Sequence, residues 1–401
     1  MDKIALYTQA HNAEKTLRRT IESVLGQTYQ NFVYYIGDNC STDSTRKIIL
    51  EYAAKDKRVV PILYDGDGTV LENIIANLIS SYHTIAKDET VDYFCNLDAD
   101  DTYHKDFFAS LLDFLKKNDL DMAATGSNFV DAVSNITTGT RALEQDLIIS
   151  GQGFGKYLPY YHCFMRTVWA KLYKIERFRK MLAAGLPTVP YGIDTIAVFS
   201  TLKWCHRVGI LNGAHHDYYI SPNSTSYIWF PNREQADAVI NSHVISFLKE
   251  KVGYVSEQNQ KFLDQVYING VKDTINVLLK CDNSIEDKLS ILRNIVSSEY
   301  TIAALTNASL KSDFAPVLLD IVCSFPETKT NSDGIWLGLT LSSLVENQER
   351  YIEFSLCNIS YLIDNNCIVE ADAELRDWES ILPDNDILIA LRKRLDGFTN
   401  H

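Results

Sequence analysis

The sequence YFCNLDADD at residues 93–101 joins an apolar run to three carboxylates. The apolar run predicts a buried strand, so the carboxylates follow at its carboxyl end. The spacing of two places Asp98 and Asp100 on the same side of the chain. Oxygen ligands of this kind suit Mg²⁺ or Mn²⁺ bridging a diphosphate. The alternative is a helix N-terminus, with Asp100 or Asp101 capping a helix that begins near His104, and these nine residues alone leave both interpretations open.

The first 130 residues alternate short β-rich runs with helical periods. The predicted strands and helices are, in chain order, Ile4–Thr8, a helix over 12–26, Phe32–Ile36, Thr45–Ala54, Val59–Leu63, Leu71–Tyr82, Val91–Leu97 and His104–Lys117. Asn12 is predicted to cap the first helix, and Gly26 to end it. This alternation predicts an α/β fold with a doubly wound parallel sheet and right-handed crossovers.

The carboxyl ends of the four predicted strands share a chemical character. They are followed by residues 8–11, 38–39, 65–68 and 98–101, and three of these four segments are acidic. Ligands of such sheets bind just beyond the carboxyl ends of the strands. Acidic loops are common through solvation alone, but converging carboxylates repel one another and a bound cation relieves the repulsion. We therefore expect a nucleotide and metal site at this edge of the sheet.

Composition narrows the partners and the compartment. The net charge of -14, from 52 acidic and 38 basic residues, argues against a nucleic-acid partner, since phosphate neutralisation needs clustered cations. The eight cysteines show no C-x-x-C spacing, which favours buried free thiols in a reducing compartment. The N-terminus lacks the apolar core of a signal peptide, and no segment has the roughly 20 apolar residues of a membrane span. We expect a cytoplasmic protein and leave attachment to the inner face of the membrane open.

The pattern changes twice along the chain. From about Met122 to Pro231 it is less regular, with glycines, aromatic residues and short strands, and an acceptor site could be built there. Beyond Arg233 it is almost wholly helical and carries no catalytic motif. We therefore predict a domain of residues 1–231, divided into a nucleotide-binding half (1–130) and an acceptor-binding half (131–231), and an α-helical domain of residues 232–401.

Several segments resemble the family-two inverting glycosyltransferases. The segments that carry the resemblance are Thr8–Leu17 with Ile21–Tyr29, Gly37–Thr45, and Asn96–Asp101, the last matching a D-x-D motif. Their order and spacing agree with the family over about Lys3–Val130. Val168–Tyr173 and Tyr191–Thr195 are similar to segments lying deeper in such enzymes, and the resemblance fades after about Tyr227. It implies the GT-A fold, a Rossmann-like domain that binds a nucleotide sugar.

The resemblance also implies the residues that bind the nucleotide of a UDP-sugar. Asp38 would hydrogen-bond the uracil ring, and Thr8 and His11 would line the base pocket. The remaining members of this implied nucleotide-binding set are Ala10, Glu14, Asp65, Asp98 and Ala99.

For the reaction itself, the resemblance implies a metal and a base. Asp98 would reach the ribose or a metal-bound water, while Asp100 would ligate Mn²⁺ or Mg²⁺ directly. His216 is a second predicted metal ligand, although a pair of histidines on a loop is more often polar surface. Asp194 would be the general base that deprotonates the acceptor hydroxyl. The alternative for Asp194 is an ordinary helix cap before Ile196.

The sequence departs from the family pattern at four positions. Gln9 replaces a usual Pro and His11 a usual Tyr, which alters the base pocket. Glu72 stands where the family often has an Arg, so one contact to the diphosphate is in doubt. Ile193 precedes Asp194 where an acid is common, but one carboxylate is enough for a base.

The resemblance implies a metal-dependent inverting transferase that moves a sugar from a UDP-sugar to a glycan, lipid-linked or protein acceptor, in bacterial surface glycan or glycoprotein glycan synthesis. A non-catalytic nucleotide-sugar-binding scaffold is the alternative. A sugar nucleotidyltransferase would need a Gly-rich basic loop after the first strand, and Asn12–Leu17 does not supply one. The aromatic cluster of Tyr157, Tyr160, Tyr161 and His162 could stack on an acceptor sugar or belong to the core. We also expect the helical domain to mediate self-association.

Overall fold

The computed structural model describes residues 2–68, 71–187, 189, 191–221 and 224–399. The chain divides into two compact units. The first comprises Met1–Pro231 and Val239–Asn259, and the second Asn232–Ala238 and Gln260–His401. The chain thus leaves the first unit at Pro231 and returns to it for one further segment. The division into a transferase domain ending at residue 231 and a helical domain beginning at residue 232 stays a prediction about function.

The first unit holds the strands, eight complete α-helices and residues 239–252 of the helix Arg233–Val252. The strands are β1 Ile4–Ala10, β2 Phe32–Asn39, β3 Val59–Tyr64, β4 Tyr93–Asn96, β5 Thr102–Tyr103, β6 Met122–Asp131, β7 Thr137–Arg141, β8 Leu147–Ser150, β9 Lys171–Lys174 and β10 Arg207–Ile220. The helices are α1 Leu17–Leu25, α2 Thr45–Lys55, α3 Leu71–Ala86, α4 Phe107–Lys117, α5 Gly153–Lys156, α6 Leu158–Tyr161, α7 Ile175–Ala184 and α8 Ile193–Leu202.

These strands form one mixed sheet in the order β3-β2-β1-β4-β9-β6-β10-β5, with β7 on β6 and β8 on β10. Strands β1 to β4 are mutually parallel, which confirms the predicted α/β fold. Because β2 and β4 flank β1 on opposite sides, the strand order reverses at β1. The crevice at such a reversal is where ligands of open α/β sheets bind. The register pairs Ala10 with Asp38, so the ends of β1 and β2 meet at this crevice.

Alternating side chains of β1 cover both faces of the sheet. Leu6 belongs to a buried core cluster with Leu17 and Ile21 of α1. Tyr7 points to the other face, where its ring lies 5.7 Å from that of Tyr82 on α3 in an edge-on arrangement. Each such burial stabilises the fold by about 1.5–3 kcal/mol. Because both faces of the sheet are covered, the sequences of its strands are continuous apolar runs.

The first helix begins later than the sequence predicts. Helix α1 starts at Leu17, and Asn12 does not cap it, so that part of the prediction is wrong. Asn12 instead adopts a left-handed backbone with φ of 48°. Its Oδ1 accepts the backbone N–H of Thr42 at 2.8 Å, and its own N–H donates to Ser41 Oγ at 3.0 Å. Asn12 therefore ties the loop after β1 to the loop after β2.

The remaining helices are α9 Arg233–Val252, α10 Glu257–Lys280, α11 Ile285–Ser297, α12 Glu299–Ala304, α13 Ala308–Ser324, α14 Ser332–Leu344, α15 Gln348–Asp364, α16 Ile368–Ile381 and α17 Asp386–Thr399. From Gln260 onward the described residues are helical apart from short connections, as the sequence predicts. Asn307, Asn331 and Asn347 cap α13, α14 and α15, each accepting a backbone N–H of the first turn.

Two further observations bear on the compartment prediction. Within the described ranges, no helix combines the length and the apolar character needed to cross a membrane. All eight cysteines carry free thiols, as predicted, but only Cys40, Cys95 and Cys205 are buried.

Candidate active site

The acidic segment Asp98–Asp101 lies at the point where the strand order reverses. It follows β4, whose pairing with β1 continues through a hydrogen bond from the Leu97 N–H to the Tyr7 carbonyl at 3.0 Å. Helix α4 begins only at Phe107, with Asp106 at its N-cap. The alternative in which Asp100 or Asp101 caps that helix is therefore wrong.

Helix α1 holds the backbone of the acidic segment. The hydroxyls of Thr16 and Thr20 donate to the Ala99 carbonyl at 2.9 and 3.0 Å. Arg19 Nη2 donates to the Asp100 carbonyl at 2.6 Å. The Asp100 carboxylate accepts from its own backbone N–H and from no other residue that the structure describes. The loop is thus fixed through its carbonyls, and the Asp100 carboxylate stays available to a ligand.

The carboxylates of this region act on one another electrostatically. Burial raises the pKa of Asp98 well above its ordinary value, and the charges of Asp194 and Asp100 raise it further. Burial also raises the pKa of Asp100, against the opposing charge of Arg19. Asp98 therefore lies within electrostatic range of both other acids. A cation bound among such groups would relieve their repulsion.

The residues fit a divalent ion that is shared with a substrate. Among the described residues, no group of three or more His, Cys, Asp or Glu side chains is arranged to hold a metal by itself. Mg²⁺ in diphosphate sites is usually bound by one or two carboxylates, with phosphate oxygens and waters completing the shell. An enclosure made of protein alone is therefore not required, and the unengaged Asp100 carboxylate beside Asp98 has the appropriate chemistry.

His216, the second predicted ligand, lies behind the acidic segment and is fully buried. Its Nδ1 is 3.0 Å from Ser127 Oγ, and its Nε2 is 3.2 Å from Asp101 Oδ2, without hydrogen-bond alignment. The ring stacks on Trp169 with centroids 4.4 Å apart. Both ring nitrogens face the protein, so this arrangement gives no support to a metal-binding role for His216, and that role stays a prediction.

Asp194 lies in the first turn of α8 and does not cap it. The helix begins at Ile193 with Gly192 at the N-cap, so the cap interpretation is wrong. Burial raises the pKa of Asp194 to about 6, while a hydrogen bond from the Val168 N–H and the charge of Lys171 lower it. A carboxylate in this range can accept a proton near neutral pH. The charge of Asp194 acts on Asp98, so the two carboxylates lie within electrostatic range of each other.

The turn that precedes Asp194 requires a glycine at position 192. Its φ is +75°, and a Cβ at this position would lie 2.4 Å from Ile240 Cδ1. L-residues rarely adopt this conformation. The turn that leads into α8 thus depends on this glycine.

The predicted uracil residue Asp38 is already engaged. It is fully buried, its Oδ2 accepts Arg46 Nε at 2.5 Å, and its Oδ1 accepts the Ser41 N–H at 3.2 Å. Arg46 Nη1 also contacts Asp65 Oδ1 at 2.8 Å. The sequence interpretation did not include Arg46. Its place in the first turn of α2, which follows the end of β2, was the signal that could have identified it.

The other residues predicted to bind the nucleotide are either buried in β1 or lie in loops. Thr8 and Ala10 are fully buried within β1, and Thr8 Oγ1 accepts the Tyr34 hydroxyl at 3.0 Å. His11 Nδ1 is 2.7 Å from the Asn39 carbonyl, which joins the ends of β1 and β2. The Glu14 carboxylate accepts the backbone N–H of residue 44 at 3.1 Å. Thr8 and Ala10 therefore shape the crevice, whereas His11 and Glu14 brace its loops.

A groove of about 560 Å³ lies against this side of the sheet and is lined in part by Cys40, Arg46 and Asp65. Asp98, Asp100 and Asp194 are not among the residues that line it. Glu72, in the first turn of α3, is exposed, and its preceding neighbours Thr69 and Val70 lie outside the described residues.

Two of the four residues in the aromatic cluster predicted for an acceptor sugar belong to the core. Tyr161 and His162 are buried, and the Tyr161 hydroxyl donates to the Phe154 carbonyl at 2.7 Å. Tyr160 is 64% exposed and is the member most available for stacking on a ligand.

Comparison with known proteins places this geometry in a family. Residues 7–182 match the family model described as glycosyl transferase family 2. A Bacillus subtilis protein named as a teichuronic acid biosynthesis glycosyltransferase, TuaG, is 27% identical over 129 residues, which are 31% of this chain and 46% of TuaG. The Escherichia coli UDP-Glc:alpha-D-GlcNAc-diphosphoundecaprenol beta-1,3-glucosyltransferase WfaP is 39% identical over 62 residues, which are 16% of this chain and 24% of WfaP. The chain spans less than half the length of either relative.

Among solved structures, that of S. aureus TarS residues 1–349 in complex with UDP has a TM-score of 0.43 at 14% identity and covers 90% of this chain and 91% of its own. The Pyrobaculum calidifontis mannosyltransferase PcManGT in complex with GDP-Man and Mn²⁺ has a TM-score of 0.41 at 11% identity, and covers 77% of this chain and 84% of its own. The matched residues contain the second half of β1, all of β2 and the acidic segment described above. Residues 7–182 therefore belong to glycosyl transferase family 2, and they lie in a GT-A α/β unit that a helical region follows.

Proposed function

We propose that this protein is a metal-dependent inverting glycosyltransferase that moves a sugar from a UDP-sugar to a hydroxyl acceptor. The observation that carries the proposal is that buried Asp98, at the point where the strand order reverses, lies within electrostatic range of both Asp100 and Asp194. The Asp100 carboxylate, which accepts only its own backbone N–H among the described residues, suits a cation. The Asp194 carboxylate, with a pKa of about 6, suits a proton acceptor.

On the donor side, Asp100 would hold Mn²⁺ or Mg²⁺, which supplies charge stabilisation for the departing diphosphate, and Asp98 would reach the ribose or a metal-bound water. Thr16, Thr20 and Arg19 fix the loop that carries these acids, so the site is largely preorganised. Asp38 would accept the uracil N–H while Arg46 keeps its carboxylate oriented. The remaining predicted contacts of the nucleotide, from His11, Glu14 and Asp65, belong to this proposal.

On the acceptor side, Asp194 would take the proton of the attacking hydroxyl. The acceptor oxygen forms a bond to the anomeric carbon as the bond from that carbon to the diphosphate oxygen breaks. The proton passes to the Asp194 carboxylate and the electron pair leaves with UDP. The Val168 N–H orients the carboxylate for this transfer.

The relatives support a UDP-sugar donor and a surface-glycan product. The name of WfaP gives a UDP-glucose donor and a lipid-diphosphate-linked acceptor, and the name of TuaG gives teichuronic acid biosynthesis. We extend the donor class and the pathway class to this chain, with a glycan, lipid-linked or protein acceptor. A cytoplasmic location, peripheral attachment to the membrane and self-association through the helical region complete the proposal.

A panel of UDP-, GDP- and CMP-sugars with Mn²⁺, scored for release of the nucleotide, tests this function. General-base catalysis typically contributes 10²–10⁴-fold, so Asp194→Asn should lower UDP release by at least about 100-fold. Asp100→Ala should remove the Mn²⁺ dependence of UDP binding. Asp113→Asn, at an exposed position on α4, is the matched control and should keep full activity.

Two results would contradict the proposal. A protein that binds UDP-sugars yet shows no turnover with any acceptor or with water would be the non-catalytic scaffold. The exposed Glu72, in place of a cation, is the observation that favours that alternative. Binding of GDP or CMP but not UDP would overturn the role of Asp38.

A further inference from the structure

A buried lysine on β9 binds backbone carbonyls instead of a carboxylate. Lys171 begins that strand and is only 1% exposed, although burying a charged amine is costly unless the amine is paired. Its Nζ donates to the Thr167 and Trp169 carbonyls at 2.5 and 3.0 Å, and lies 3.5 Å from the Thr167 hydroxyl. Among the residues that the structure describes, no carboxylate forms an ion pair with it. These three oxygens match the three N–H donors of an ammonium group.

The carbonyls that Lys171 binds belong to a bend of the backbone over residues 166–170. Ala170 ends the bend with a φ of 55°, a left-handed conformation that residues with a side chain rarely adopt. Its N–H donates to the Tyr103 hydroxyl at 3.0 Å, and that hydroxyl donates to the Asn96 carbonyl at 2.5 Å. Asn96 is the last residue of β4. The bend is therefore fixed to the strand that leads into the acidic segment.

The same bend is joined to the first turn of α8. The Arg166 carbonyl accepts the Thr195 hydroxyl at 3.0 Å, and the Val168 N–H donates to the carboxylate of Asp194. The positive charge of Lys171 also acts on Asp194 and lowers the pKa of that carboxyl. Asp194 is partly exposed, whereas Lys171 is not. A substrate can therefore reach the carboxylate but not the amine.

The hydrogen bonds of Lys171 and Asp194 meet at one peptide group. The Thr167 carbonyl and the Val168 N–H belong to the same planar amide. A donor at the carbonyl oxygen polarises the amide and strengthens the hydrogen bond that its N–H makes. The amine thus binds the negative end of this dipole, and the carboxylate binds the positive end.

We propose that Lys171 is a positioning residue for Asp194, because it fixes the amide of Thr167 and Val168 whose N–H orients the carboxylate towards the acceptor hydroxyl. This proposal rests on the proposed function, in which Asp194 is the base. Lys171 does not contact the substrate. The polarised amide and the nearby positive charge both favour the ionised carboxylate, which is the form that can accept a proton.

The other titratable groups around Asp194 do not supply this effect. Asp98, which follows β4, is a second acid within electrostatic range, and like charges disfavour the ionised form of each. The charge of Asp194 also reaches Tyr82 of α3 and Tyr173 of β9, but burial raises the pKa of both phenols well above the ordinary value, so they stay neutral. Among the described groups that act on Asp194, Lys171 is therefore the positive one.

A double-mutant cycle on the full chain tests this role, with Lys171→Met and Asp194→Asn as the single variants. The kcat for UDP-sugar turnover should fall on the order of tenfold in Lys171→Met, as is typical when a residue that orients a functional group is removed, while the affinity for UDP is unchanged. In the Asp194→Asn background, Lys171→Met should cause no further loss. Lys174→Met is the matched control, since it removes a partly exposed ion pair with Asp119 from the same strand and should keep full turnover.

A second measurement follows the carboxylate itself and needs no turnover. In protein labelled with ¹³C at the aspartate carboxyl groups, the NMR signal of Asp194 is identified by its absence from Asp194→Asn. Lys171→Met should move the titration of this signal to higher pH, because the charge that favours the ionised form is gone. Lys171→Gln keeps a donor for the Thr167 carbonyl without the charge, so it should move the titration in the same direction but less far.

Three results would overturn the proposal. A loss of turnover of equal size in both backgrounds would show that Lys171 only stabilises the bend. An unchanged titration of Asp194 in both Lys171 variants would remove the link between the two residues, and a loss of UDP affinity in both would mark a general structural role. Failure of the proposed function is a separate result, because it would show as full turnover by Asp194→Asn or as none by the wild type, and neither alters what the titration shows about Lys171.

Discussion

Replacing Asp194 by Asn should stabilise the protein at neutral pH while it removes the base. In the folded state burial raises the pKa of this carboxyl from 3.8 to about 6. The folded state therefore binds the proton more tightly than the unfolded state does. The stability of the wild type then falls as the pH rises from about 4 to about 6, because ionising Asp194 costs more when it is buried. Asn keeps an acceptor for the Val168 N–H and has no charge to bury.

The size of this effect follows from the two pKa values. The full cost is about 3 kcal/mol at pH 8, of which roughly half is already present at pH 5. The stability advantage of Asp194→Asn over the wild type should therefore grow by about 1–2 kcal/mol between these two pH values. For a unit of this size that corresponds to roughly 3–6 °C in the midpoint of thermal unfolding.

Differential scanning calorimetry of both proteins at pH 5 and pH 8, without nucleotide or metal, measures the difference. Asp113→Asn, at an exposed position, should show no such dependence on pH. An advantage of Asp194→Asn that stays constant or shrinks towards pH 8 would refute the reasoning. It would mean that the carboxyl is solvated or paired in the folded protein, and the argument for a base with a raised pKa would fall with it.

Three further predictions can be checked independently. The kcat/KM for UDP-sugar turnover should fall about tenfold per pH unit below pH 6, since Asp194 with a pKa of about 6 must be ionised to accept a proton, and a pH profile measures this. Arg46→Gln should destabilise the protein by about 1–3 kcal/mol in urea unfolding and weaken UDP binding, because it leaves the buried carboxylate of Asp38 without its ion pair. The control, Arg18→Gln, removes an exposed ion pair and should cost less than about 1 kcal/mol. Gly192→Ala should lower the free energy of unfolding by at least about 1–2 kcal/mol, because of the φ of +75° and the contact with a neighbouring side chain, and should also lower turnover. The control, Gly151→Ala, lies in open space and should show only the cost of the backbone strain.

The sequence was sufficient to predict the parallel half of the sheet and its functional edge. The period of apolar residues is a local property, so β1 to β4 and their helices were predicted within a few residues. The acidic loops were placed correctly at one edge because parallel strands that are joined by helices end on the same side. Asp98 and Asp100 at the crevice follow from this rule alone.

Contacts between distant parts of the chain were beyond the sequence. His216 follows Asp101 by more than 100 residues, and only the pairing of β10 with β5 and β6 turns it into a buried neighbour of that acid. Asn12 fits the pattern of a helix cap, yet it joins two loops because the ends of β1 and β2 meet there.

The position of the cationic side chain at the site likewise depends on tertiary structure. Arg46 has no special neighbour in the sequence, but α2 returns it to the end of β2, where it bridges Asp38 and Asp65. The local sequence pattern thus indicates both the family and the positions of its acidic residues. The side chains that orient or neutralise those acids come from distant segments of the chain. The periodicity of the sequence does not encode which segments pack against one another.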